Sequence, residues 1–248
     1  MGEIKAIKDY QIVVFGVIIA LGAIFSTAIF TKSVIKYQKM QNQTISTTGS
    51  ASKSVKADFA TITINYRLNA PNIKTGYKKM TSDAQKIKNF LVQKGIDEKD
   101  ITFGQISNYE VNKRIGNYTT NEVDFYKFNS YVKATSKNVD LITEIANSTT
   151  SLVDMDIETG YNDVEYLVSN LDDIKIEMVG KATQNAKQRA ESMVKSTGDK
   201  IGSLNSAKMG VFQIVPINST EVTDYGINDT TSPEKNVIAV VNATFTVK

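Results

Sequence analysis

The chain of 248 residues contains no cysteine, no histidine and no tryptophan. Without cysteine it can form no disulfide and offers neither a thiol nucleophile nor a thiolate ligand for a metal. Without histidine it lacks the usual general base, the Ser-His-Asp triad and the commonest ligand of transition metals. An enzyme of this composition would have to use carboxylates, lysine, tyrosine, serine or threonine. We therefore expect a protein that is not an enzyme and that needs no cofactor.

Net charge is also lacking over most of the chain. The formal net charge of +3 comes from the first 44 residues, because residues 45–248 contain equal numbers of basic and acidic side chains. Lysines beside a membrane suit anionic head groups. A neutral domain lacks the basic surface of a nucleic-acid-binding protein. We expect a membrane contact and no nucleic-acid partner.

One feature of the chain is the apolar run Ile12–Phe30, which has 19 consecutive residues without a formal charge. A helix needs about 20 residues to cross the hydrocarbon of a bilayer. A cleavable signal peptide has a shorter apolar core, of about 7–15 residues, and a small-residue cleavage site that the following sequence TKSVIKYQKM does not contain. Ser26-Thr27-Ala28 leaves cleavage open as an alternative, and a buried globular helix is a further one. We interpret the run as an uncleaved membrane anchor.

This interpretation predicts three segments. Residues 1–31 form a stub and the anchor, 32–48 a polar tether, and 49–248 the domain that follows. The lysines that flank the run, counted with the α-amine, are equal in number on its two sides. The positive-inside rule therefore gives no orientation.

Changes of hydrophobic period predict the elements that follow the tether. Apolar residues that alternate with polar ones indicate strands, and apolar residues spaced three and four positions apart indicate helices. The predicted strands are 57–68, 101–111, 122–135, 152–166, 203–216 and 237–247, with a hairpin tip at 112–121, and the predicted helices are 73–94, 138–147 and 170–196. Gly95 and Gly198 are predicted to cap helices in the left-handed conformation. This order predicts an α+β fold, with about three helices packed on largely antiparallel sheets.

Three carboxylates alternate within the predicted strand 152–166, at Asp154, Asp156 and Glu158. Carboxylates on one face of a strand could bind Ca²⁺ through their oxygens. The spacing departs from a calcium-binding loop because Gly160 stands at position seven instead of six. We favour a solvated face whose acids protect the edge of a sheet from mispairing. The three acids stay weak candidates for a metal site.

Aromatic residues crowd the predicted hairpin. They are Tyr109, Tyr118, Phe125, Tyr126, Phe128 and Tyr131. Aromatic pairs across two strands stabilise a ribbon, and aromatic residues on both faces of a projecting hairpin would also serve as an oligomer contact. We weigh the two interpretations evenly. The candidate interface residues are Tyr118, Phe125, Tyr126 and Phe128.

Several short segments occur in a characteristic order. They are TGSA at 48–51 before ADFATITI at 57–64, FLVQKGI at 90–96 before IT at 101–102, and ATQNAKQRAESMVKSTGDKIGSL at 182–204. In this order residues 45–248 resemble the SIMPL-domain family of bacterial envelope proteins. The chain departs from the family in its Asn-rich segment 112–121 and in its retained anchor. The resemblance implies that residues 49–248 form an extracytoplasmic domain and that the stub within residues 1–31 is cytoplasmic, which decides the orientation. It also implies that the domain oligomerises and is linked to protection against oxidative stress, and it provides no catalytic residues.

Three functional hypotheses follow. The preferred one is a non-enzymatic, single-pass protein of the bacterial cytoplasmic (inner) membrane whose periplasmic domain assembles into a homo-oligomer. The second is an accessory or chaperone-like subunit that binds another membrane protein through the hairpin or the last helix. The third is a carboxylate-based hydrolase, which needs two acids that converge in a cleft. The spacing of the acids in this sequence shows no such pair.

Overall fold

The structure is a computed structural model, which describes residues 2–219 and 221–248 and the side chains of residues 14–37, 43–219 and 221–248. Within these residues the chain forms four α-helices and eleven strands. The helices are α1 (Gly2–Asn42), α2 (Ile73–Gln93), α3 (Val139–Ser148) and α4 (Leu171–Lys195). The strands are β1 (Thr44–Lys56), β2 (Phe59–Ala70), β3 (Ile101–Phe103), β4 (Ser107–Ile115), β5 (Tyr118–Ser136), β6 (Glu158–Thr159), β7 (Asp163–Leu167), β8 (Ile201–Met209), β9 (Gln213–Pro216), β10 (Ile227–Asn228) and β11 (Glu234–Val247). The predicted α+β class is confirmed.

The chain divides into two compact units, a division that the predicted segments do not contain. The first unit comprises the residues up to 51 together with 179–210 and 239–248, and the second comprises 52–178 and 211–238. Each unit includes part of β1, of α4 and of β11, because the boundaries fall within these elements.

Helix α1 contains the segment Val14–Tyr37, which is 24 residues long and apolar enough to cross a membrane. It overlaps the predicted anchor. Residues 32–42, predicted as part of a tether, instead continue α1, and β1 begins at Thr44. No glycine or proline stands between Thr31 and Asn42 to end the helix. The hydroxyls of Thr31 and Ser33 also donate to carbonyls one turn earlier, at 2.8 and 2.9 Å.

In the first unit a helix lies close against strand β1. The buried Thr47 Oγ1 donates to the carbonyl of Ala186 at 2.8 Å. Ala182, Ala186 and Ala190, which are spaced four residues apart on α4, are fully buried, and their small side chains let the helix lie close to the strand. Strand β8 pairs antiparallel with β11 from Val241 onwards.

The second unit contains a six-stranded antiparallel sheet. Strands β5 and β2 pair with each other in the centre of the sheet. Strands β3 and β4 both pair with the other edge of β5, and β6 and β7 both pair with the other edge of β2. Helices α2 and α3 cover one face. The fully buried core side chains include Ile62, Ile64, Met80, Ile87, Leu91, Phe128, Val132, Ile142 and Ile145. The alternation predicted for strand 57–68 is thus confirmed.

The predicted helix ends in this unit are also confirmed. Asn138 Oδ1 accepts a hydrogen bond from the backbone N–H of Leu141 at 3.1 Å and caps α3. Gly95, with φ of +101°, follows the end of α2, and Ile96 beyond it is buried.

Three predicted strands differ from the structure. Strand 101–111 is interrupted at Gly104, where the Tyr131 ring occupies the space of a side chain. Strand 203–216 is interrupted at 210–212, between β8 and β9. Strand 152–166 is replaced by a 3₁₀ helix at Thr149–Met155 followed by β6 and β7. The predicted tip at 112–121 is a turn of only two residues, because Ile115 already pairs with Tyr118.

Candidate functional site

The acidic cluster does not form the strand face that the sequence predicted. Asp154 lies on the 3₁₀ helix, and Asp156, with φ of +61°, ends it. Glu158 lies on β6, where its carboxylate accepts a hydrogen bond from Arg67 Nε at 2.7 Å. Among residues 2–219 and 221–248, no three His, Cys, Asp or Glu side chains are grouped so that they could hold a metal ion. The alternation was misleading because the segment is not a strand: Leu152 and Ile157 are buried, five residues apart, whereas Val153 is 60% exposed.

The hairpin of β4 and β5 extends beyond the rest of its sheet. Strand β2 pairs with β5 only from Tyr126 to Ser136, whereas β4 follows β5 out to Tyr118. Residues 111–125 therefore form a ribbon of two strands. A ribbon of two strands is marginally stable in water unless a third strand or a packed layer supports it.

The four predicted interface residues occupy different environments. Phe128 is fully buried, and its ring packs edge-to-face on Tyr77 with the ring centroids 5.5 Å apart. Phe128 is therefore a core residue, and its selection as an interface candidate was wrong. Phe125 and Tyr126 are half-buried, and Tyr118 is 82% exposed.

The structure adds a residue that the sequence analysis missed. Ile115 is 71% exposed and pairs directly with Tyr118 across the Gly116-Asn117 turn. We call the segment Ile115–Tyr118 the hairpin tip. Ile115 lies within the Asn-rich segment 112–121, which was predicted as the tip of the hairpin but not searched for interface residues. The Gly116-Asn117 dipeptide, in which Gly116 has φ of +61°, is a two-residue hairpin signal in the sequence that could have placed Ile115 beside the turn.

A shallow apolar cleft of about 250 Å³ lies at the other end of the same hairpin, in the second unit. Its lining residues are Tyr66, Thr81, Ala84, Gln85, Phe103, Gly104 and Ile106. None of them carries a formal charge. Phe103 is 52% exposed at the cleft, while burial raises the pKa of the Tyr66 phenol. We call this cavity the α2–β3 cleft.

A buried lysine joins three segments of the second unit. Lys235 is 2% exposed, and its Nζ donates to the carbonyls of Tyr166 at 2.8 Å and Asp229 at 2.6 Å. Burial lowers the pKa of Lys235, and the Asp229 carboxylate opposes that shift. Burial raises the pKa of Asp229, but hydrogen bonds from Ser232 and Thr231 outweigh it and hold this pKa below its ordinary value. These contacts fix the loop before β11, so we assign them a structural role.

The fold and the first helix together define the class of protein. It is an α+β protein of antiparallel and mixed sheets that begins with a helix suited to a membrane anchor. The chain belongs to the SIMPL family, whose model, described as a protein of unknown function (DUF541), matches residues 45–245. A comparison with curated proteins found no match. The family and the apolar helix fit a membrane-anchored envelope protein.

Proposed function

We propose that this chain is a non-enzymatic protein of the cytoplasmic membrane whose periplasmic domain self-associates through the β4–β5 hairpin. The observation that carries the proposal is the unsupported ribbon at residues 111–125, which ends in the exposed apolar side chains of Ile115 and Tyr118. A role in protection against stress would follow from the family resemblance.

The ribbon lacks the support that two strands need. Within the described part of the chain, β4 pairs only with β5, so its outer edge presents unpaired backbone groups. Such an edge is a template for another chain. Half-buried Val111, Val123 and Phe125 line the ribbon, and adjacent exposed apolar residues indicate a contact surface. A second copy of the chain would cover both the ribbon and its tip.

The charge of the chain supports the proposed location. The whole net charge lies beside the apolar helix, where anionic lipids attract lysine. Since the flanking lysines are balanced, the periplasmic side rests on the resemblance to envelope proteins. The absence of cysteine and histidine from the sequence supports a function without catalysis.

The mass of the full-length protein extracted in detergent, measured by native mass spectrometry, tests self-association. We expect a discrete multiple of the chain mass of 27.3 kDa. The double substitution Ile115→Ser and Tyr118→Ser should lower that mass. Tyr225→Ser is the matched control, because Tyr225 is 97% exposed outside the hairpin, and it should leave the mass unchanged.

Two results would contradict the proposal. A monomeric wild-type protein at micromolar concentration would exclude stable self-association. A mass with a remainder that is not a multiple of the chain would indicate a bound partner, as expected for an accessory subunit of another membrane protein.

A further inference from the structure

The hairpin carries two uncharged apolar features at its opposite ends. The tip presents Ile115 and Tyr118, which are 71% and 82% exposed. The α2–β3 cleft opens beside Ile106, immediately before the first residue of β4. The two features belong to one compact unit and are joined by one strand.

The tip cannot reach the cleft of its own chain. Strand β4 has nine residues between them, and antiparallel strands rise by about 3.4 Å per residue, so the separation is about 27 Å. Hydrogen-bonded pairing with β5 holds β4 extended over this length. If tip and cleft meet, they belong to different copies.

The size of the cleft and its lack of charged residues are compatible with insertion of the tip. Its volume of about 250 Å³ lies below the roughly 300–1,000 Å³ of pockets that enclose small-molecule ligands. A cavity smaller than this one suffices for a single benzene ring. The lining is uncharged, as are all four residues of the tip, so neither side would bury a formal charge.

The cleft also offers partners for the one polar side-chain group of the tip that must be buried. A buried tyrosine hydroxyl needs a hydrogen-bond partner. Thr81 and Gln85 line the cleft with a hydroxyl and an amide. The Tyr66 hydroxyl, which donates to the Met80 carbonyl at 3.4 Å, lies in the cleft as well.

We propose that the hairpin tip of one copy inserts into the α2–β3 cleft of the next copy. The contact is heterologous, because each chain contributes its tip to one neighbour and its cleft to the other. Heterologous contacts form rings when the rotation closes and filaments when it does not. This inference rests on the proposed self-association and names its two surfaces.

Mixing two defective variants tests the direction of the contact. The tip variant carries Ile115→Ser and Tyr118→Ser, and the cleft variant carries Ala84→Gln, which places a longer polar side chain in the cleft. Each variant alone should be monomeric. The mixture should give a species of two chains and no larger one, because only the cleft variant's tip and the tip variant's cleft are intact.

Cross-linking gives a second test that does not depend on a loss of assembly. The chain contains no cysteine, so single substitutions introduce the only thiols. Oxidation of a mixture of Tyr118→Cys and Gln85→Cys proteins should give a disulfide-linked dimer, whereas each protein alone should not. Tyr225→Cys mixed with Gln85→Cys is the control and should stay unlinked.

The outcomes separate this inference from the proposed function. A monomeric wild-type protein would overturn both. A wild-type oligomer that keeps its size in the cleft variant would overturn only the pairing of tip and cleft. Cross-linking of Tyr118→Cys with itself would indicate a symmetric contact between two tips and would also overturn it. Unchanged thermal unfolding of the Ala84→Gln protein would show that its loss of assembly is not a loss of folding.

Discussion

Gly49 on β1 lies so close to Ala186 on α4 that a side-chain carbon at position 49 would overlap the helix backbone. The neighbouring carbonyl of Ala182 would be overlapped as well. Both alanines are fully buried, and small residues on both sides permit this close approach of a helix to a sheet. The contact packs β1, the strand that directly follows α1, against the last helix, and so holds the first unit together.

The first prediction concerns this approach. Gly49→Ala should destabilise the protein by about 1–3 kcal/mol, because overpacking forces the backbone of β1 or α4 to move. Gly180→Ala is the matched control. Gly180 lies on the same helix, and a side chain there would meet nothing within 4 Å, so the helix should gain about 0.5–1 kcal/mol. Unfolding in denaturant measures both changes, and equal midpoints for the two variants would contradict the prediction.

Sequence patterns predicted the elements whose signals are local. Helix α2 and strand β2 follow from their periods, and Gly95 and Asn138 follow from the chemistry of helix ends. Strand β1 was missed because its sequence TISTTGSASKSVK has few apolar residues. Its place depends on partners far along the chain, such as Thr244, which bonds Ser46 at 2.8 Å.

The candidate site was predicted only in part, for a similar reason. The hairpin was predicted, but which face of β5 is buried was not. Phe128 was therefore grouped with Tyr118. Even-numbered positions from Phe128 to Ala134 face the core, and alternation along this strand could have shown it. The α2–β3 cleft joins residues from β2, α2 and β3. No local sequence pattern predicts that residues from these three elements lie together.

The second prediction concerns stability in acid. Hydrogen bonds from the Ser169 hydroxyl and the Ser169 backbone N–H, the latter at 2.8 Å, hold the pKa of Asp58 below its ordinary value. The unfolded chain therefore binds a proton at a higher pH than the folded one, and stability falls as pH drops below about 4 through the folded pKa.

Asp58→Asn should remove the part of the acid-induced loss of stability that comes from Asp58. Ser169→Ala should reduce it because the side-chain hydrogen bond is the largest cause of the shift. The free energy of unfolding, measured by urea at a series of pH values, checks the prediction. The double variant should lose no more of the pH dependence than Asp58→Asn alone, since both changes act on one interaction. Additive losses would contradict this assignment.

The third prediction concerns the buried lysine. Lys235→Met keeps the apolar stem but leaves the carbonyls of Tyr166 and Asp229 without their donor. Hydrogen bonds to charged groups contribute about 1.5–3 kcal/mol, so we expect a loss of roughly 2 kcal/mol or more. The control Lys208→Met changes an exposed lysine on β8, and a surface change of this kind should cost less than about 0.5 kcal/mol. Similar losses in the two variants would show that the contacts of Lys235 are not stabilising.

The fourth prediction concerns the side of the membrane on which the domain lies. Because the chain has no cysteine, Tyr225→Cys supplies a single thiol on a residue that is 97% exposed. A maleimide that cannot cross the inner membrane, but reaches the periplasm, should label this variant in intact bacterial cells. The unsubstituted chain gives the background of the assay. Labelling that appears only after the cells are lysed would place the domain in the cytoplasm, and it would overturn the orientation on which the proposed envelope function depends.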